Sequence, residues 1–134
     1  MNAWILLLGR VLYGFFFIMS GYGHLTKLGM MAQYAGSQGV PAPKLAVGVS
    51  GLMLLGGGFS ILLGFEPRIG ALLLVAFLVP TAVMMHRFWG VADPMMAQNQ
   101  MIHFWKNIVM AGAALMIYYF ATVYPEAWPY SVGR

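Results

Sequence analysis

Four long apolar runs decide what this chain can become. An apolar run of about 20 residues crosses the hydrocarbon core of a bilayer as a helix, with every backbone polar group bonded internally. Such runs lie at about 4–25, 45–65, 69–88 and 101–123. The first is interrupted only by Arg10, the second carries no charge, and the third contains Pro80, which a membrane helix tolerates as a kink. Charged residues make up 7% of the 134 residues, against about a quarter in a soluble domain. That is too little charge to coat a surface facing water. The expectation is an all-α integral membrane protein, a four-transmembrane-helix bundle forming a single domain over residues 1–134 in a lipid bilayer.

Charge and cysteine content narrow the chemistry. Seven basic and three acidic residues give a net charge of +4. With no basic cluster, these charges read as membrane flanking and not as a nucleic-acid surface. The absence of cysteine excludes disulfides, thiolate metal sites and thiol redox chemistry in the chain itself. The N-terminus has no basic stretch ahead of its apolar run and no convincing small-residue cleavage site, so the first run is read as a span and not as a signal peptide.

The polar residues gather in the connections. Between the first two spans, Met30 to Tyr34 suits a short interfacial helix that G-V-P-A-P then breaks. The second connection is the tight G-F-E-P-R turn, and the third runs through H-R-F-W-G-V-A-D-P to F-W-K-N. The tail, P-E-A-W-P-Y-S-V-G-R, has the aromatic character of a membrane interface. Alternating spans bring the first and third connections to one side of the membrane, so His24, His86 and His103 share one end of the bundle. His103, Lys106 and Asn107 fall on one helical face, and His86 and Trp89 on another. Turned inward, these residues with Trp105 would line a polar pocket capped by aromatics. As single residues, Arg87, Trp89, Trp105 and Lys106 also suit ordinary interfacial anchoring, and each histidine also suits a hydrogen-bonded structural role.

Arg10 stands apart. It lies about 9 Å into the first span at 1.5 Å per residue, and a charge at that depth marks a functional site or a specific internal partner. Glu66, at the same end of the bundle, is the acidic residue within reach. Gly56, Ser60 and Gly64 recur every four residues on the second span, and the fourth span is thin from Ala111 to Ala114. Small residues of this kind let helices approach closely in lipid, within one subunit or between copies of a homo-oligomer. The His-rich side carries Lys27, Lys44, Arg87 and Lys106, which the positive-inside rule places in the cytoplasm.

These segments resemble the DoxX family of small bacterial membrane proteins. The resemblance is carried by L-L-L-G-R-V-L-Y-G-F-F-F-I-M-S-G-Y-G-H-L-T-K-L, including Arg10 and the Ser20–His24 segment. Q-G-V-P-A-P, L-L-G-G-G-F-S-I-L-L-G, H-R-F-W and F-W-K-N follow in the family's order and extend it over nearly the whole chain. It implies a four-helix protein of the bacterial cytoplasmic (inner) membrane with a redox association. On that reading the chain is a membrane subunit or accessory of a quinone- or thiol-linked, oxidative-stress system. A pocket of His24, His86, Trp89, His103, Trp105, Lys106 and Asn107 would hold a quinone, with a membrane or peripheral oxidoreductase as partner. One departure matters: family members often carry a glutamate just before the paired glycines of the second span, where this chain has Met53 and Leu54. Its absence favours a scaffold or assembly protein without chemistry as the alternative. The twelve methionines leave a third reading, small-solute or Cu(I) transport, since thioethers suit soft metals.

Overall fold

The computed structural model describes residues 3–132, which form α1 (Ala3–Thr26), α2 (Leu28–Ser37), α3 (Pro43–Leu63), α4 (Pro67–Met85) and α5 (Pro94–Val123), followed by a single 3-10 turn at Pro125–Ala127. Helices α1, α3, α4 and α5 are each long and apolar enough to cross a membrane. α1 lies along α3, α3 against α4 and α4 against α5, while α2 rests on α3. Large apolar side chains such as Leu12, Leu45 and Val109 are about two-thirds exposed. That exposure would be costly in water but matches the solvent in lipid. The interior is small, built on Phe17, Leu54, Ile61, Leu74 and Leu78 with Ala71, Ala111 and Ala114. The two alanines on α5 let that helix sit close to the core.

Glycine sets the tightest approach. Gly14 and Gly21 on α1 face Gly58 and Gly51 on α3, with the same seven-residue spacing on both helices. A methyl group on Gly14 would stand 2.7 Å from the Gly58 carbonyl oxygen, and one on Gly21 would stand 2.8 Å from that of Gly51. Both distances are inside van der Waals contact, so only glycine allows this packing. On the other flank of α3, a methyl on Gly57 would lie 2.7 Å from Leu74. The expected Gly56–Ser60–Gly64 line is therefore corrected in part. Ser60 does pack against Gly70, but a methyl on Gly56 would meet only Leu73, at an ordinary 3.6 Å, and Gly64 works as a helix cap at φ 69°. The reason is that α3 has two close neighbours, and its two contact stripes lie to either side of Gly56.

Element ends depart from the apolar runs where capping overrides hydropathy. α5 begins at Pro94, seven residues before the expected span. The Asp93 carboxylate accepts from the Met95 amide at 2.9 Å, and Pro94 takes the first helical position, where its missing N–H costs nothing. The short helix expected over residues 30–34 extends from Leu28 to Ser37. It seats Ala32 and Ala35 against Val47, with Met85 of α4 packed beside them. After α5 the chain folds back: Trp128 is buried, and the Val132 amide donates to the Leu63 carbonyl at 2.9 Å. The tail is thus partly packed into the end of the bundle.

Candidate functional site

A cavity of about 890 Å³ occupies the end of the bundle where α1 and α4 finish and α5 enters. Its walls are mostly apolar, from Phe17 on α1, Met53 on α3, Phe77 on α4 and Met110 on α5. α2 and the Val40–Pro41–Ala42 bend form part of its lining. The Arg87 guanidinium donates to the Gln38 carbonyl at 2.9 Å, tying the end of α4 to the chain leaving α2. Pro80 also borders the cavity, beside Ala76. Lacking an N–H, Pro80 has nothing to donate to the Ala76 carbonyl one turn earlier.

Four of the expected site residues border this cavity: His24, His86, Lys106 and Asn107. His24 sits in the last turn of α1, its Nδ1 2.8 Å from the Ser20 carbonyl oxygen and its ring edge-on to Phe77. A carbonyl oxygen only accepts, so the proton is on Nδ1 and Nε2 keeps its lone pair. His86 caps α4. Gln100 donates through Nε2 to the Met85 carbonyl at 3.3 Å, which turns its Oε1 to His86 Nδ1 at 3.0 Å. That oxygen too only accepts, so His86 has the same tautomer, with a bare Nε2. Burial pushes the His86 pKa below its ordinary value, the Gln100 hydrogen bond pulls it back up, and His103 and Lys106 nearby add to the lowering. Asn107 is 5% exposed. Its carboxamide makes no hydrogen bond to any described residue, and it borders the cavity.

The other expected residues lie outside the cavity wall. His103 stacks on His86, ring centroids 5.2 Å apart and 27° from parallel. Its Nδ1 accepts from the Lys106 ammonium at 3.4 Å, which puts the ring proton on Nε2, opposite to the other two histidines. Lys106 also lies 5.9 Å from the Phe16 ring centroid, across the seam between α5 and α1. One turn along that seam, the Tyr13 hydroxyl donates to the Met110 carbonyl at 2.6 Å. Trp89 and Trp105 are about half exposed and join Phe88 and Phe104 in edge-to-face contacts of 5.2–5.7 Å. The two F-W pairs thus make an outward aromatic belt of the interfacial kind.

Arg10 lies toward the opposite end and is 2% exposed. Its Nε donates to the Ile61 carbonyl at 3.1 Å and its Nη2 to that of Leu62 at 2.9 Å, while Nη1 donates to the Pro129 carbonyl. The guanidinium carbon stands 5.5 Å from the Trp128 ring centroid. Arg10 therefore meets carbonyls at the end of α3, which have no helical donors of their own, and ties the tail to them. Glu66 faces Arg68 at 3.8 Å in the exposed turn instead, so the expected Arg10–Glu66 partnership is replaced by backbone capping. Sequence reasoning missed Gln100, the tautomer-setting contact. Its position three residues before His103 on α5, one helical turn away, was the available signal.

The fold and cavity together define a class: a four-span membrane bundle whose main cavity is largely apolar and carries its polar groups at one end. The chain matches the DoxX family over residues 5–87, more than half its length. It is also 34% identical over 113 residues to the inner membrane protein YphA of Escherichia coli (strain K12), covering 84% of this chain and 80% of that protein. No solved structure matches it. The chain belongs to the DoxX family and is a multi-pass protein of the bacterial inner membrane.

Proposed function

We propose that the chain is the membrane-embedded binding subunit or accessory of a redox system. In this reading the cavity at its His-rich end receives the ring of an isoprenoid quinone from the bilayer. The observation that carries the reading is Asn107, a buried carboxamide with no partner among the described residues, set in the wall of a largely apolar 890 Å³ cavity. Ligand sites pair an apolar lining with a few convergent polar groups in just this size range, about 300–1,000 Å³. Among the described residues no fully buried side-chain polar atom lacks a partner, so the Asn107 carboxamide reaches open space, where a ligand can hydrogen-bond to it. Lys106 supplies a second donor for a ring carbonyl, and His24 and His86 complete the polar part of the lining.

The chain has no cysteine, so thiol-linked electrons would come from a partner oxidoreductase, for which the polar end offers a docking side. Met53, which with Leu54 stands where the family resemblance leads one to expect a glutamate, is an apolar thioether residue of the cavity lining. That favours binding and presentation of a ring over proton transfer by this chain. The test is direct titration of the protein in lipid nanodiscs with decylubiquinone, followed by calorimetry, with empty nanodiscs subtracted. Saturable binding is expected, and Asn107→Leu should weaken it by about tenfold, the size of one hydrogen bond. No saturable binding by the unaltered protein overturns the reading.

A further inference from the structure

We infer that the cavity selects the reduced, hydroxylated form of its ring ligand over the oxidised form, and that His24 contributes to this preference. The inference rests on the reading of the cavity as a ring-binding site and concerns which redox state that site holds.

Donors and acceptors in the cavity wall set the preference. Both cavity histidines are held in the Nδ1–H tautomer, His24 by the Ser20 carbonyl at 2.8 Å and His86 by the Gln100 carboxamide oxygen at 3.0 Å. Each presents a bare Nε2 with no partner among the described residues, and each borders the cavity. A neutral imidazole nitrogen of this kind only accepts. Lys106 and Asn107 supply donors, Asn107 can also accept, and the Tyr34 and Thr81 hydroxyls of the lining can do either.

A quinone carbonyl only accepts. It satisfies Lys106 or Asn107 but brings nothing to either Nε2, and burying those lone pairs under an aprotic ring costs free energy. A hydroquinone hydroxyl both donates and accepts, so it meets the histidines as donor and the Lys106–Asn107 pair as acceptor. The third histidine strengthens the contrast. His103 has the opposite tautomer, fixed by Lys106 at 3.4 Å, and lies outside the cavity wall. The two rings whose tautomer leaves an acceptor are the two that face the ligand space.

The probes are decylubiquinone and its fully reduced quinol, titrated under argon at pH 8, where an ordinary histidine is neutral. The protein is held in lipid nanodiscs, with empty nanodiscs subtracted. The quinol is expected to bind at least about tenfold more tightly, the worth of one net hydrogen bond. His24→Leu should narrow that gap, because it removes an acceptor for the quinol hydroxyl and so weakens the quinol more than the quinone. His24→Gln, whose amide can turn either a donor or an acceptor to the ring, should bind both forms and narrow the gap. It also keeps a polar side chain should the leucine variant fail to fold. Equal affinities, or tighter quinone binding, overturn the inference while leaving the ring-site reading standing. A gap that stays undiminished in folded His24 variants overturns the role of His24. Failure of both ligands to bind saturably overturns the ring-site reading and this inference with it.

Discussion

At the residue scale, His86 joins burial, tautomer and charge in one side chain. Its folded-state pKa lies below the ordinary value of 6.5, first because burial disfavours the charged ring and then because His103 and Lys106 repel it. In the unfolded chain the ring titrates near 6.5. As the solution is acidified below that point, the unfolded state takes up the proton first. Stability contributed by the neutral ring is therefore present above pH 6.5 and lost as the pH falls toward the folded value. Thermal melts of the detergent-solubilised protein should show a lower Tm at pH 5.5 than at pH 7.5. His86→Gln should shrink that difference, and an undiminished difference would place the acid sensitivity elsewhere.

At the element scale, the α1–α3 pair depends on backbones that nearly touch. Gly14→Ala would drive a methyl into the Gly58 carbonyl oxygen at 2.7 Å, where the obstacle is backbone and cannot swing aside. Overpacking of this kind costs about 1–3 kcal/mol, which should appear as a clear fall in Tm. Gly112→Ala on α5 is the matched control, because a methyl there meets nothing within 4 Å. It should leave Tm unchanged or raise it, since alanine is the better helix former by about 1 kcal/mol. Similar losses in both variants would show that the Gly14–Gly58 contact is not what makes Gly14 intolerant of a methyl group.

At the scale of the whole molecule, the two ends have separate tasks. One holds the cavity. At the other, Arg10 gathers the carbonyls of Ile61, Leu62 and Pro129 beneath Trp128 and locks the returning tail onto α3. Arg10 and His24 are about 21 Å apart along α1 at 1.5 Å per residue, far enough for their effects to be independent. Arg10→Met leaves those carbonyls without their charged donor and should cost about 3 kcal/mol of stability. Binding of decylubiquinone by the folded variant should stay within about twofold of the original, since distant sites add almost independently. A matching loss of binding would mean that the two ends are coupled.

The sequence by itself determined the number of spans, the lipid-facing character of the surface and the convergence of three histidines on one end. Apolar length and alternating topology are local and additive, so they can be read without a structure. The family resemblance was legible too, because ordered short motifs survive in a chain otherwise dominated by apolar residues. Tertiary structure alone decided which of those polar residues border a common cavity. Helical spacing puts His103, Lys106 and Asn107 on one face, but only the packing of α4 and α5 turns Lys106 and Asn107 toward the space and stacks His103 on His86. It also decided that Trp89 and Trp105 face outward, that Arg10 meets carbonyls and not Glu66, and that Gly51 and Gly58 carry the α1 contact. The physical reason is common to all three. Each depends on how a helix is rotated about its own axis, which in lipid is set by the neighbours it packs against and not by a contrast between apolar and polar faces.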